Sequence, residues 1–97
     1  MMTVYAILWR YTEPAERFQA LVPKIMAWLR DLKQRDVLVA CGGGGFAEAD
    51  GGLTLIRAAG PEEAAAEMAK SPQVEFGTME LFEWEVYFAE LSVPKAF

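Results

Sequence analysis

TVYAILWRY, residues 3–11, is the stretch whose reading decides the fold. It is β-branched and aromatic and contains neither Gly nor Pro, which is the composition of a strand. Tyr5, Ile7, Trp9 and Tyr11 point to one face, and Val4, Ala6 and Leu8 to the other. Both faces are apolar, so both have to be covered.

After this strand, Thr12 is placed to cap a helix and Pro14 to sit in its first turn, where a missing N–H is harmless. Phe18, Leu21, Val22, Ile25, Leu29 and Leu32 then step by three and four, one apolar stripe running to about Arg35. Pro23 should bend or split that helix. Met26 and Trp28 fall off the stripe, on a candidate second surface. Val37–Cys41 reads as a short buried strand, Gly42–Gly45 as the break that ends it, and Asp50-Gly51-Gly52 as a turn before a strand at Leu53–Arg57. Gly60-Pro61 opens a helix from Glu62 to Lys70, which Ser71-Pro72 stops. Met79 to Phe88 alternates, with Phe82, Trp84, Val86 and Phe88 on one face and Glu83, Glu85 and Tyr87 on the other.

The order is β-α-β-β-α-β, an α+β ferredoxin-like fold with four antiparallel strands and two helices on one face. The domain is expected to span residues 1–97, with its core in 3–88 and a tail at 89–97. The opposite face of the sheet, including the second apolar face of the first strand, needs another cover. Pairing two sheets face to face supplies it and makes a dimeric α/β barrel, so a homodimer is expected. The 54% apolar fraction, with three Trp, three Tyr and six Phe in 97 residues, points the same way.

Net charge is −5, and residues 62–90 hold eight Glu against Lys70 alone. That balance argues against nucleic acid, whose phosphates require Lys and Arg, and against anionic membrane. No apolar run approaches the ~18 residues of a membrane span, and no positively charged segment leads into an apolar stretch, so cytoplasm is the expected compartment. Cys41 is the single cysteine, which excludes an intramolecular disulfide and a cysteine-cluster metal site. Histidine is absent. Ser-His-Asp and Cys-His pairs and two-histidine metal triads are thereby excluded. No metal or cofactor is expected, and any catalysis would fall to carboxylates, Lys, Tyr or the thiol.

AWLRDLKQRDVLVACGG (27–43), the Gly-Pro-Glu-Glu helix start, AKSPQVEFG (69–77) and FEWEVYF (82–88) resemble YCII-related proteins. These are small dimeric α/β-barrel proteins, mostly of unassigned function, and the likeness spans roughly residues 3–88. The resemblance implies the barrel fold. It also implies, in many members, a proposed catalytic pair: a histidine on the first helix and an aspartate before the second-helix proline. Aligned without gaps, these positions are Ile25 and Ser71 here. The resemblance therefore supports the fold and undercuts the chemistry.

Gly42 to Ala47 formally matches the dinucleotide pattern G-x-G-x-x-A, but a turn and a strand follow in place of the helix that the motif needs, so a flexible hairpin connection is the expected reading. Glu83 and Glu85, roughly 7 Å apart by strand rise, are candidate catalytic carboxylates with Tyr87, or else solvated residues. Facing a cavity they would need Arg10 or Arg57 as partner. Cys41 is expected to be a small buried hydrophobe, with nothing near it in sequence to activate the thiol. The leading expectation is binding of a small, partly apolar molecule between the sheet and the first helix. Tyr5, Trp9, Tyr11, Trp28 and Trp84 would form its walls, with Arg10 and Ser71 as polar anchors. Two other readings stand beside it: a lyase or isomerase acting on a small organic acid, and a non-catalytic structural or partner-binding module with the acidic C-terminal half as docking surface.

Overall fold

The computed structural model describes residues 3–46 and 49–90. The chain runs through β1 (Thr3–Tyr11), α1 (Ala15–Gln19), α2 (Val22–Gln34), β2 (Leu38–Phe46), β3 (Ala49–Ala58), α3 (Pro61–Met68), a 3-10 turn (Pro72–Glu75) and β4 (Gly77–Trp84). This is the expected α+β ferredoxin-like order, with the first helix in two pieces. Pro23 lies in the first turn of α2, where it costs no hydrogen bond, so the break falls just before it. The sheet order is β2-β3-β1-β4 and every pairing is antiparallel. β1 is hydrogen-bonded to β3 from Thr3↔Ala58 to Arg10↔Gly51, and to β4 from Val4↔Trp84 to Tyr11↔Gly77.

Tyr5, Ile7 and Trp9 form one buried core with Ile56 and Ala58 of β3, Leu32 of α2, and Ala64 and Met68 of α3. Hiding a side chain the size of Ile7 or Leu32 contributes about 1.5–3 kcal/mol. Both longer helices therefore lie on the Trp9 side of the sheet. The opposite side carries Val4, Ala6 and Leu8 with Leu53, Leu55, Phe82 and Trp84, and of these Leu53, Phe82 and Trp84 are exposed. No described helix is long and apolar enough to cross a membrane.

Several expected boundaries move. Gly42–Gly45 does not break β2: the strand continues through the glycines, and β3 begins at Ala49, ahead of the expected turn at Asp50–Gly52. Gly43 pairs with Gly52 and Gly44 with Gly51, so the hairpin arm satisfies its backbone without side chains. Glycine was read as punctuation, whereas here it is what lets the two strands and the layer above come close. Ala47, the last residue of the formal dinucleotide pattern, lies outside the described residues, as do residues 91–97 of the tail. β4 ends at Trp84, where its pairing with β1 stops, so Val86 and Phe88 are not part of the sheet and Phe88 is almost fully exposed. Thr12 does not cap α1. Its N–H and its hydroxyl both donate to the Phe76 carbonyl, tying the end of β1 to the start of β4. Trp28, placed off the apolar stripe, packs against the core from α2.

Helix α2 ends in a tight reversal. Asp36 adopts φ 59°, and the N–H groups of Asp36 and Val37 donate to the carbonyls of Lys33 and Leu32. That is the hydrogen-bond pattern of a left-handed helix cap, a position that favours glycine. Arg35 beside it forks onto Glu67 of α3 at 2.9 and 3.0 Å and also holds Asp31, joining the two helices. The hydrogen bond from Arg35 holds the Glu67 carboxyl below its ordinary 4.5.

Two stability measurements test these features. Asp36→Gly should raise urea resistance by roughly 0.5 kcal/mol through relief of the left-handed backbone; a destabilised variant would show that the Asp36–Arg57 contact at 3.5 Å matters more. Because the Glu67 pKa is lowered on folding, its stabilisation is full above pH 4.5 and fades as pH falls through the depressed native value. Glu67→Gln should therefore lower the melting temperature at pH 7 by on the order of a few degrees, and the gap from wild type should close by pH 2–3.

Candidate functional site

Residues opposite one another in an antiparallel ladder share a face, so the floor beneath the helices can be read from the register. Trp9, Gly52 and Gly43 form one row across β1, β3 and β2, and Ile7, Thr54 and Cys41 form the next. Gly52 is buried, while Gly43 and Cys41 are exposed, so the helix layer stops short of the β2 edge.

What lies over Gly52 is polar. A Cβ at that position would stand 3.6 Å from the Tyr11 hydroxyl, 3.7 Å from Gln73 Nε2 and 3.3 Å from the Gly42 carbonyl oxygen. The Tyr11 hydroxyl and the Gln73 amide belong to a chain of hydrogen bonds that begins at Ser71. Ser71 Oγ accepts from the Gln73 backbone N–H at 3.1 Å, which starts the 3-10 turn, and donates to Gln73 Oε1 at 2.9 Å. Gln73 Nε2 in turn donates to the Tyr11 hydroxyl at 2.9 Å. Ser71 and Gln73 are buried. The direction of donation leaves the Tyr11 phenolic proton at the end of the chain, and among the described residues it has no acceptor.

Aromatic packing fixes that end in place. The Tyr11 ring lies 4.7 Å from Phe18 of α1 and 4.9 Å from Phe76, centroid to centroid. Gly77 makes the approach possible: a Cβ there would fall 2.7 Å from the Arg10 carbonyl oxygen and 3.1 Å from Tyr11 Cδ1, so β4 has to start with glycine. Two further donors are buried nearby in the core. Among the described residues, the indole N–H groups of Trp9 and Trp28 have no hydrogen-bond partner. An unsatisfied buried donor costs about 1–3 kcal/mol, a cost that an acceptor at the site would remove.

The structure brings together only part of the expected set. Tyr11 and Ser71 are joined through Gln73, Trp9 stands beside Gly52, and Trp28 packs on the same core. Tyr5 is buried at the other end of β1, opposite Glu83, and burial pushes its phenol up, with Glu83 and Glu62 adding to the effect. Arg10 and Trp84 lie on the helix-free face. Arg10 pairs with Glu80 at 3.4 Å and Arg57 with Asp36, so neither arginine is the partner that Glu83 and Glu85 would need in a cavity. Glu85 and Tyr87 lie past the end of β4 and are exposed, joined to each other at 3.3 Å. Gln73 was missed. Its signal was Ser71-Pro72, a helix-start pair read only as the end of the preceding helix. No three of Cys, Asp and Glu gather as a metal site among the described residues.

Two shallow grooves lie on or beside the helix-free face. One, of about 210 Å³, is lined by Ala6, Leu53, Leu55, Phe82, Glu83 and Trp84. The other, of about 230 Å³, runs from Val39 and Ala40 past Leu55 to Trp84 and Val86. Both are mostly apolar and lack the buried polar groups found around Gly52.

With this geometry in hand, the chain can be compared with known proteins. The family model of the YCII-related domain matches residues 3–85. No curated protein sequence matches. Among solved structures, 5-chloro-2-hydroxyhydroquinone dehydrochlorinase from Burkholderia phenoliruptrix, in complex with 2,5-dihydroxybenzoquinone, superposes with a TM-score of 0.64 at 15% identity, over 84% of this chain and 93% of that one. This similarity is one of fold.

Cys41 was expected to be buried and is instead exposed on the β2 edge, because no helix reaches over it. Partial desolvation still pushes its thiol above the ordinary 9.0. Less thiolate is then present at neutral pH, so alkylation by iodoacetamide at pH 8 should run several-fold slower than in the urea-unfolded chain and keep rising beyond pH 9. A native rate equal to or above the unfolded one would contradict this.

Proposed function

The chain belongs to the YCII-related domain family, and from that premise we propose that it binds a small, partly apolar molecule on the helix side of its sheet, as one half of a homodimeric α/β barrel. The observation that carries the reading is the Ser71–Gln73–Tyr11 chain, which ends over the side-chain-free Gly52 next to Trp9. A few polar groups converging among aromatic walls is the usual composition of a small-molecule site. Exposure of Gly43 and Cys41 supplies an approach from the β2 edge. The structurally similar dehydrochlorinase, solved in complex with 2,5-dihydroxybenzoquinone, lends support by analogy of fold. The apolar helix-free face, with Leu53, Phe82 and Trp84 exposed, supports the dimer.

The family's suggested chemistry has less support. Ile25 and Ser71 occupy the positions of its histidine and aspartate, and neither can take a proton near neutral pH. Glu83, opposite Tyr5, stands roughly 20 Å along the strand from the Tyr11 end. A lyase or isomerase using Glu83, Glu85 or Tyr87 would thus work away from the polar chain.

Native mass spectrometry tests both halves of the proposal. The wild type should fly as a dimer carrying a small constant mass excess. Leu55→Glu, which places a charge on the apolar face, should give monomers. Gly52→Ala should keep the dimer and lose the excess, because its methyl occupies the space below Tyr11. A wild-type monomer would sink the barrel, and an excess that survives Gly52→Ala would move the ligand elsewhere.

A further inference from the structure

β4 ends at Trp84 on one edge of the sheet, and the residues after it reach toward the other edge. Val86, Phe88, Ala89 and Glu90 line the groove of about 230 Å³ together with Val39 and Ala40 of β2 and Leu55 of β3. Ala40 stands opposite Leu55 in the ladder and Leu55 opposite Ala6, so this segment runs along the helix-free face. It buries little of itself there. Phe88 is 96% exposed and Tyr87 81% exposed, and the Tyr87 hydroxyl turns back to Glu85. Two adjacent aromatic rings left in water beside an apolar surface mark a contact that the single chain does not make.

The neighbouring groove has the size and chemistry to receive such a ring. It holds about 210 Å³ and is lined by Ala6, Leu53, Leu55, Phe82 and Trp84, with Glu83 at its side. An apolar cavity of roughly 150 Å³ accommodates benzene, so a phenylalanine side chain fits. The chain's own Phe88 lines the other groove and leaves this one open. Area points to a second copy as the source of the ring. The chain exposes 6778 Å², about 1200 Å² more than the roughly 5500 Å² of a compact monomer of 10.8 kDa. A standard interface takes roughly 800 Å² from each partner, so the excess is enough for one.

We propose that residues 85–90 form an exchanged arm: in the homodimer, Phe88 of each copy inserts into the groove formed by Leu53, Phe82 and Trp84 of the other. This rests on the homodimeric reading above and adds the side chain that the second copy contributes. A two-fold axis makes the contact twice, since each copy offers one ring and one groove. The exchange covers Leu53, Phe82, Trp84 and Phe88 together, the large apolar side chains that the sheet and its own helices leave exposed.

Two measurements on the full chain test the arm. In sedimentation equilibrium over a dilution series, Phe88→Ala should raise the dimer Kd at least about a hundredfold, because two buried rings are lost per dimer. Its far-UV circular dichroism should match the wild type, since so exposed a side chain holds little of its own fold. Phe88→p-azidophenylalanine keeps the ring and adds a photo-cross-linker. Irradiated in an equal mixture of ¹⁴N- and ¹⁵N-labelled chains, it should join residue 88 of one isotope to the peptide carrying Leu53 or Phe82 of the other. A dimer whose Kd is unmoved by Phe88→Ala, or cross-links confined to single chains, would overturn the arm and leave the dimer standing. A wild-type chain that stays monomeric at every concentration would remove the dimer and the arm with it. The cross-link decides the matter even where Phe88→Ala does not fold.

Discussion

Everything in this fold hangs on β1, a strand with hydrogen-bonded neighbours on both edges and apolar side chains on both faces. Pairing with β3 and β4 saturates its backbone, so the strand has no free edge to offer. Its faces then divide the labour. The odd positions seal a core under α2 and α3 that Tyr5, Ile7 and Trp9 fill almost without solvent contact. The even positions belong to the surface on which Leu53, Phe82 and Trp84 are left exposed. One strand sequence thus fixes where the core lies, where the polar chain can be anchored and which apolar surface is left without a helix over it.

Glycine is the second organising element, and it acts through close approach. At Gly77, any side chain would collide with the backbone of Arg10 and the ring of Tyr11. At Gly52, one would press on the Gly42 carbonyl and fill the space beneath Tyr11 and Gln73. These two positions are what permit the end of β1, the start of β4 and the 3-10 turn to crowd around a single point. The Phe76 carbonyl, which takes both donors of Thr12, locks the crowding in place.

Residue periodicity made the element order and the buried face legible. Phe18 to Leu32 reads as helix and TVYAILWRY as strand because each pattern repeats at the spacing its backbone imposes. The glycine-rich hairpin was not legible, since a residue without a side chain carries no periodicity and its role depends on what stands opposite. β4 was read too long for a related reason: Val86 and Phe88 continue an alternating pattern, but a strand lasts only as long as its partner. Of the candidate site, Tyr11, Ser71 and Trp9 were identified and Gln73 was not. The pairing of Gln73 with Tyr11 spans two elements distant in sequence, and no local pattern announces such a contact. Trp84 was grouped with Trp9 as a wall of one pocket, and the register places them on opposite faces.

The Ser71 hydroxyl has a consequence beyond starting the 3-10 turn. Ser71 is buried, and its hydroxyl is committed twice, as acceptor for the cap and as donor to Gln73. A carboxylate there could accept but not donate, so the Gln73 amide would have to turn its NH₂ toward it and present its oxygen to Tyr11. With serine the chain runs the other way: Oγ donates to Gln73 Oε1, and Gln73 Nε2 donates to Tyr11. From this position a string of hydrogen bonds runs through Gln73 to Tyr11 and ends over Gly52.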